Sequence, residues 1–235
     1  MQTNTVIQQI NMVLEQYPQL QAVHHDGDTC IEGEFLLDVE VMGVPLYETY
    51  TIRIIIPPDY PKVMPKLVEL SNKIPTTFEH KYADQYCCLG VPGNLAFEFY
   101  KDPNLLHYVQ DMVTNYFSSV KWHEIYGNCP FSERSHGAKG LFEFYRQYWN
   151  VEDDALAMRL LLSALLPGTY RGHQKCLCGS NKIARKCHGP QYLKIFSLPY
   201  KEALEHDCAT MFNDLKKRGV IDDGTKSNKA TKRSI

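Results

Sequence analysis

The sequence predicts an α+β fold, and three observations carry that expectation. Val6, Ile10, Val13, Leu14 and Tyr17 stand at helical spacing near the start of the chain. The apolar period then falls to two. Ile31, Gly33, Phe35, Leu37, Val39 and Val41 alternate with Glu32, Glu34, Asp38 and Glu40, and Tyr50, Ile52, Ile54 and Ile56 follow with Thr49, Thr51 and Arg53 opposite. Beyond residue 104 the helical period returns. Strands grouped ahead of helices, rather than interleaved with them, point to an antiparallel sheet backed by packing helices.

The elements follow in order. Thr5 to Tyr17 reads as an amphipathic helix capped by Thr3 or Asn4 and ended by Pro18. The run from Ile31 to Val41 reads as a strand with one wet face. A turn at Gly43-Val44-Pro45 should return it antiparallel into Tyr50–Ile56. Pro57-Pro58-Asp59-Tyr60-Pro61-Lys62-Val63-Met64-Pro65 lacks the backbone donors of a central strand, and Leu67, Val68 and Leu70 supply a short further one. Residues 104–120 carry two adjacent stripes, Leu105, Val109, Met112 and Tyr116 beside Leu106, Val113, Phe117 and Val120. Leu141, Phe142, Phe144, Tyr145, Tyr148 and Trp149 form an aromatic stripe whose ordinary meaning is core. A last apolar helix, Ala155 to Leu166, ends at Pro167-Gly168.

Composition bounds the rest. A chain of 235 residues with 44% hydrophobic content can bury one sizeable core and carry a smaller appendage. No apolar run nears the ~20 residues of a membrane helix, and the polar start is no signal peptide, so a soluble, cytoplasmic protein with no membrane partner is expected. Eight cysteines, two adjacent and three clustered near a histidine, suit thiol and metal chemistry better than a disulfide framework. The net charge of −2 hides a division: residues 1–170 carry 11 Lys+Arg against 21 Asp+Glu, residues 171–235 carry 14 against 6. The small sum implies no whole-protein affinity for nucleic acid, and the asymmetry suggests modules with different partners. The Lys/Ser/Asn/Thr tail after Gly224 reads as disordered.

One stretch concentrates chemistry. In His80-Lys81-Tyr82-Ala83-Asp84-Gln85-Tyr86-Cys87-Cys88-Leu89-Gly90-Val91-Pro92 a histidine and a cysteine pair share a turn-rich loop, where a scaffold displays reactive side chains. Adjacent side chains point in opposite directions along extended chain, so only one cysteine of the pair can face a cleft. A lone thiol with an apolar neighbour is ordinarily core, and a loop histidine ordinarily caps a turn or holds a carbonyl.

In combination these residues resemble the ubiquitin-conjugating enzymes. Gly33-Glu34-Phe35 opening a strand, Tyr50-x-Ile52-x-Ile54-x-Ile56, Pro58-Asp59-Tyr60-Pro61 with Pro65 behind it, then His80 and Cys88-Leu89 carry the likeness, which covers roughly residues 5–150. The resemblance implies a UBC-like fold in which Cys88 forms a thioester with the C-terminus of a protein and passes it on. Cys87 has no family role.

The departures are informative. His80 is followed by Lys81-Tyr82 where the eukaryotic pattern has Pro-Asn, so no asparagine stands ready for the oxyanion. The shortened loop is more similar to bacterial relatives often encoded in anti-phage defence operons, and Glu133-Arg134-Ser135-His136-Gly137 resembles their later Glu-x-Ser-His-Gly element. His136 thereby joins Cys88 and His80 as a candidate catalytic residue, with capping of a helix N-terminus as the competing role. Backbone amides near Leu89 and Gly90, His80, Asn94 and His136 all qualify as oxyanion donors.

After Gly168 the character changes, and a boundary is expected there: residues 1–168 as the conjugating domain, 169–190 as a small metal module, 191–235 as a helical extension and tail. Cys176, Cys178, Cys187 and His188 fall within thirteen residues, and three thiolates with an imidazole suit tetrahedral zinc in a closed structural site. So small a module has no room for a hydrophobic core, so the metal would supply its folding energy. The pattern resembles the SEC-C motif, with Leu177 where proline is usual, and that resemblance implies a docking role. Arg171, His173, Lys175, Lys182, Arg185 and Lys186 make the module electropositive, so that an acidic partner surface or a nucleic-acid backbone would be attracted. Tyr200 to Arg218 reads as a further helix.

Two readings from different classes remain. In one, Cys88 carries an acyl group from an upstream activating step to an amine or thiol; the bacterial resemblance implies a client with a reactive C-terminus, such as the nucleotidyltransferase of a CBASS anti-phage operon or a ubiquitin-like protein. In the other, the chain is a silent adaptor like the RWD and UEV variants, joined to a zinc docking module. Silent variants generally lack the cysteine, and this chain keeps Cys88-Leu89.

Overall fold

The computed structural model describes residues 2–82, 85–130 and 135–221, with side chains from residue 5 onward. The expected caps Thr3 and Asn4, the pair Glu133-Arg134 and the tail after Gly224 lie outside the described side chains. Two compact units divide the chain, Met1–Gly90 with Asn94–Glu133, and Val91–Gly93 with Arg134–Ile235.

The first unit is α+β. Helix α1 (Gln2–Gln16) precedes strands β1 (Leu20–His25), β2 (Asp28–Val41), β3 (Val44–Ile56) and β4 (Lys66–Glu69), which pair antiparallel in chain order. Alternation decides which face is dry. Ile31, Phe35 and Leu37 of β2 are buried together with Leu46, Tyr50, Ile52, Ile54 and Ile56 of β3, in a register that pairs Ile31 with Ile54 and Phe35 with Tyr50. The turn into β3 comes one residue earlier than expected. Met42 and Gly43 both take positive φ (51° and 81°), the two-residue hairpin form that suits strand twist, and Val44 and Pro45 already belong to the strand.

Strand β1 was not legible in the sequence. Leu20-Gln-Ala-Val-His-His is mostly exposed, with Leu20 alone buried, because it forms the sheet edge against β2. The close pairing also explains Gly33. It faces Leu20 across the ladder, and a Cβ there would lie 2.2 Å from the Gln19 carbonyl oxygen.

Helix α2 (Pro92–Phe99), the short α3 (Leu105–His107), a π-helical stretch (Tyr108–Val113) and α4 (Thr114–Tyr126) follow. The double stripe expected over 104–120 is thus one apolar face on a helix that widens midway. Phe117 of α4 stacks on Tyr50 at 4.1 Å between ring centroids and lies 5.7 Å from Phe35, closing the core over the sheet. The proline-rich turn is held down by Tyr60, buried, whose hydroxyl donates to Gln9 Oε1 (2.5 Å); the same oxygen accepts the Leu105 N–H (3.0 Å).

The second unit contains α5 (Gly137–Trp149), α6 (Asp154–Leu165), a 3-10 turn at Ala184–Lys186, α7 (Gly189–Phe196) and α8 (Glu202–Lys217). Asp153 caps α6, its carboxylate accepting the Leu156 N–H at 2.6 Å. The aromatic stripe of α5 is indeed core: Trp149 and Tyr145 are fully buried, with Trp149 5.1 Å from Tyr192 of α7. Here the division differs from the boundary expected after residue 168. Residue 168 falls inside this unit, in which α5 and α6 pack on each other and on α8, and α6 packs on α7. Residues 169–190 and 191–221 are parts of one packed body. Among the described residues no helix is long and apolar enough to cross a membrane.

Candidate functional site

The loop after β4 is shaped by three backbone links. Tyr86 bridges Val68 at the sheet edge, Lys81 bridges Cys87, and the Cys88 N–H donates to the His80 carbonyl at 2.9 Å. The same carbonyl accepts the Tyr116 hydroxyl at 2.9 Å, so α4 fixes the backbone of His80. Its ring lies 5.3 Å from that of Phe78. Ala83 and Asp84 of the loop lie outside the described residues.

The two adjacent thiols have different surroundings. Cys87 points into the core, 6% exposed, with its N–H bonded to the Leu67 carbonyl at 2.8 Å. Burial, with the charge of Glu69 adding to it, pushes its thiol up to about 12. Cys88 is only half-buried. Burial would raise its thiol too, but hydrogen bonds with the His80 and Tyr82 side chains and the Gly90 backbone, together with the charge of His80, outweigh it and hold the thiol below the ordinary range. His80 and Cys88 are therefore brought together, and His80 has a thiol partner as well as a backbone role. Tyr82 and Tyr116 are contributors that sequence reasoning missed in this role. Tyr116 stood in a helical stripe that gave its hydroxyl no address.

His136 lies in the second unit, exposed, at the N-cap position of α5. Its side chain makes no capping hydrogen bond, which removes the capping role expected for it. The neighbouring residue is what the helix secures. Ser135 donates its N–H to Glu143 Oε2 (2.9 Å) and its hydroxyl to Oε1 (2.7 Å), and these two bonds hold the Glu143 carboxyl below its usual range.

The second cluster is closed. Ligand atoms of Cys176, Cys178, Cys187 and His188 all lie within 4.8 Å of one another, and the four could hold a metal ion. A metal–sulfur bond of about 2.3 Å gives a tetrahedral edge of about 3.8 Å. The separations here are of that size: Cys178 Sγ to Cys187 Sγ 3.4 Å, His188 Nδ1 to Cys187 Sγ 3.5 Å and to Cys176 Sγ 3.2 Å. The other ring nitrogen of His188 supplies independent support. Nε2 lies 2.6 Å from the Trp149 carbonyl oxygen, to which it can only donate, and that tautomer leaves Nδ1 bare toward the sulfurs. Burial raises Cys176 to about 11, whereas at Cys178 hydrogen bonds led by Ser180 overcome burial and bring the thiol to about 6. His188 and Cys176 are buried, and the His188 ring lies 5.9 Å from that of Trp149, which in turn contacts Tyr192. The expectation of a module without a hydrophobic core is corrected: the Cys/His loop sits on the aromatic core of its own unit.

Comparison with known protein families, with curated proteins and with solved structures finds no match.

Proposed function

We propose that this chain is a ubiquitin-conjugating-enzyme-like acyl carrier with Cys88 as the acceptor thiol. The observation that supports it most is the opposite fate of two adjacent cysteines, one buried with a raised thiol, the other reachable with a lowered one beside His80. In this reading the Cys88 thiolate attacks the activated C-terminal carbonyl of a client protein, a C–S bond forms and the activating group departs. An amine or a second thiol then attacks the thioester carbonyl, the C–S bond breaks and the thiolate of Cys88 is restored. His80 lowers the cost of the thiolate at both ends of the cycle. The Gly90 N–H, bonded to Cys88 in the resting protein, is a backbone donor at hand for the oxyanion. His136 enters this reading only through the resemblance of Ser135-His136-Gly137 to the bacterial element.

The client is a protein with a reactive C-terminus. The bacterial resemblance favours the nucleotidyltransferase of a CBASS operon or a ubiquitin-like protein, with an activating enzyme upstream and a role in anti-phage defence. The ion of the Cys/His cluster is zinc, a structural ion that holds the loop on α5 and α7, and the exposed Arg171, Lys175, Lys182, Arg185 and Lys186 around it recruit an acidic surface.

The test compares Cys88→Ala and Cys87→Ala, incubated with client and activating enzyme and run on non-reducing gels. Cys88→Ala abolishes the reductant-sensitive adduct and Cys87→Ala keeps it. An adduct that survives Cys88→Ala would overturn the assignment, and no adduct from either wild type or Cys87→Ala, with client and activating enzyme shown competent, would favour the silent adaptor.

A further inference from the structure

The second unit contains a buried carboxylate that the proposed chemistry does not use. Asp207 of α8 is 0% exposed. Its Oδ2 accepts the Tyr145 hydroxyl of α5 at 2.9 Å and the Gly93 N–H at 2.8 Å, while Oδ1, equally buried, has no hydrogen-bond partner among the described residues. Burying a carboxylate with half its acceptor capacity unmet is unfavourable, and a core position would ordinarily be filled by an apolar side chain. Burial accordingly pushes the Asp207 carboxyl up to about 6, against the hydrogen bonds from Tyr145 and Gly93.

What Asp207 grips is the chain just after the cysteine. Val91–Gly93 are the three residues by which the second unit interrupts the first, and the chain returns to the first unit at Asn94. Gly93 is the second residue of α2, three positions beyond the Gly90 amide that bonds the Cys88 thiol. The grip also explains the glycine. A Cβ at residue 93 would lie 2.2 Å from the Tyr145 hydroxyl oxygen and 2.7 Å from Asp207 Oδ2, so any side chain there forces the contact apart.

We infer that Asp207 and Tyr145 form a clasp on Gly93 that positions the Cys88 loop, which makes Asp207 a positioning residue for the reactive thiol. The inference rests on the reading of Cys88 as the reacting group. A backbone N–H held by a buried carboxylate fixes one end of Gly90–Gly93, and with it the direction in which the Gly90 amide points. Releasing the clasp lets that amide wander from the sulfur, and the thiolate loses one of the hydrogen bonds that hold its proton affinity down.

The experiment is alkylation of the full-length protein by iodoacetamide at pH 7, with each cysteine followed separately by peptide mass spectrometry. Asp207→Ala and Gly93→Ala each slow alkylation of Cys88 several-fold, while Cys30, 1% exposed in the first unit, stays protected and shows that the sheet is intact. The contact itself is read from a double variant. Tyr145→Phe removes the hydroxyl that the new Cβ strikes, so Gly93→Ala slows Cys88 less in that background than in the wild type. A merely structural role predicts additive losses or a general rise in labelling that includes Cys30, and either result overturns the inference, as does a Cys88 rate unchanged in Asp207→Ala and Gly93→Ala. Because alkylation needs no acyl donor, absence of a thioester adduct would remove the conjugation reading and leave this result standing.

Discussion

The Cys88 loop and the Cys176–His188 loop are built from the same two residue types and are opposite in design. At the first, one histidine serves one thiol, and a neighbouring cysteine is turned into the core, so the remaining sulfur has a lowered thiol and stays partly exposed. At the second, three sulfurs and one imidazole converge within 4.8 Å, and the outer nitrogen of the imidazole is spent on a carbonyl of the core. On the proposed reading, what separates a nucleophile from a ligand set is not the thiol but the number of soft donors that share one point and whether an approach is left open.

The comparison can be broken at either end. Its largest expected effect is on the closed site: Cys176→Ser, or removal of the ion by chelation, should abolish stoichiometric zinc, about one per chain by elemental analysis. It should also broaden or lower the thermal transition of the second unit, since binding energy of a structural ion is folding energy. Because His188 is tied to Trp149, the loss should reach the near-ultraviolet signal of Trp149 rather than stay within residues 169–190, and Cys30 should remain protected. A wild-type protein prepared without chelator that contains no metal would end the argument for a closed ligand set.

At the open site the effect is smaller and pH-dependent. Cys88 should alkylate along a profile whose midpoint lies below that of an ordinary thiol, and His80→Ala should move the midpoint up, since it removes the strongest of the lowering contacts. Each unit of upward movement costs about tenfold in thiolate at a pH well below both midpoints. A midpoint unmoved in His80→Ala would assign the lowering to Tyr82 and the Gly90 amide instead. The paired control is Cys87, which should stay unlabelled up to alkaline pH, and Cys87→Ala should cost about 1 kcal/mol of stability in denaturant titration through a small core void.

The smallest effect belongs to the basic rim. Charge reversal at Lys182, Arg185 and Lys186, all exposed, should slow association with an acidic client, by an amount that shrinks as salt rises, because surface steering is screened over about 10 Å at 0.1 M. Metal content should not change. A salt-independent loss would point to contacts of shape rather than charge.

Much of the first unit could be read from local pattern. The wet-and-dry alternation of Ile31–Val41 and Tyr50–Ile56 set which side chains face the core, because a period of two leaves no other register that buries them together. The Cys/His set was equally legible, since ligands within thirteen residues need no long-range folding to meet. The edge strand Leu20–His25 was not, because an edge half in water has no alternation to show.

What the sequence by itself determined is thus the local chemistry: the strands and helices with a clear apolar face, the residue types of both cysteine loops, and the rule that only one of two adjacent thiols can turn inward. Which of the two turned inward, and what then held the other's proton, depended on Tyr116, Leu67 and His80 arriving from elsewhere in the chain. The unit boundary was decided the same way. Pro167-Gly168 ends a helix and reads as a break, yet α5 and α6 complete their core with Trp149 against Tyr192 and Tyr145 against Asp207, partners 43 and 62 residues away that no local pattern announces. Periodicity tells a residue which way to face, and only the folded chain decides what it meets there.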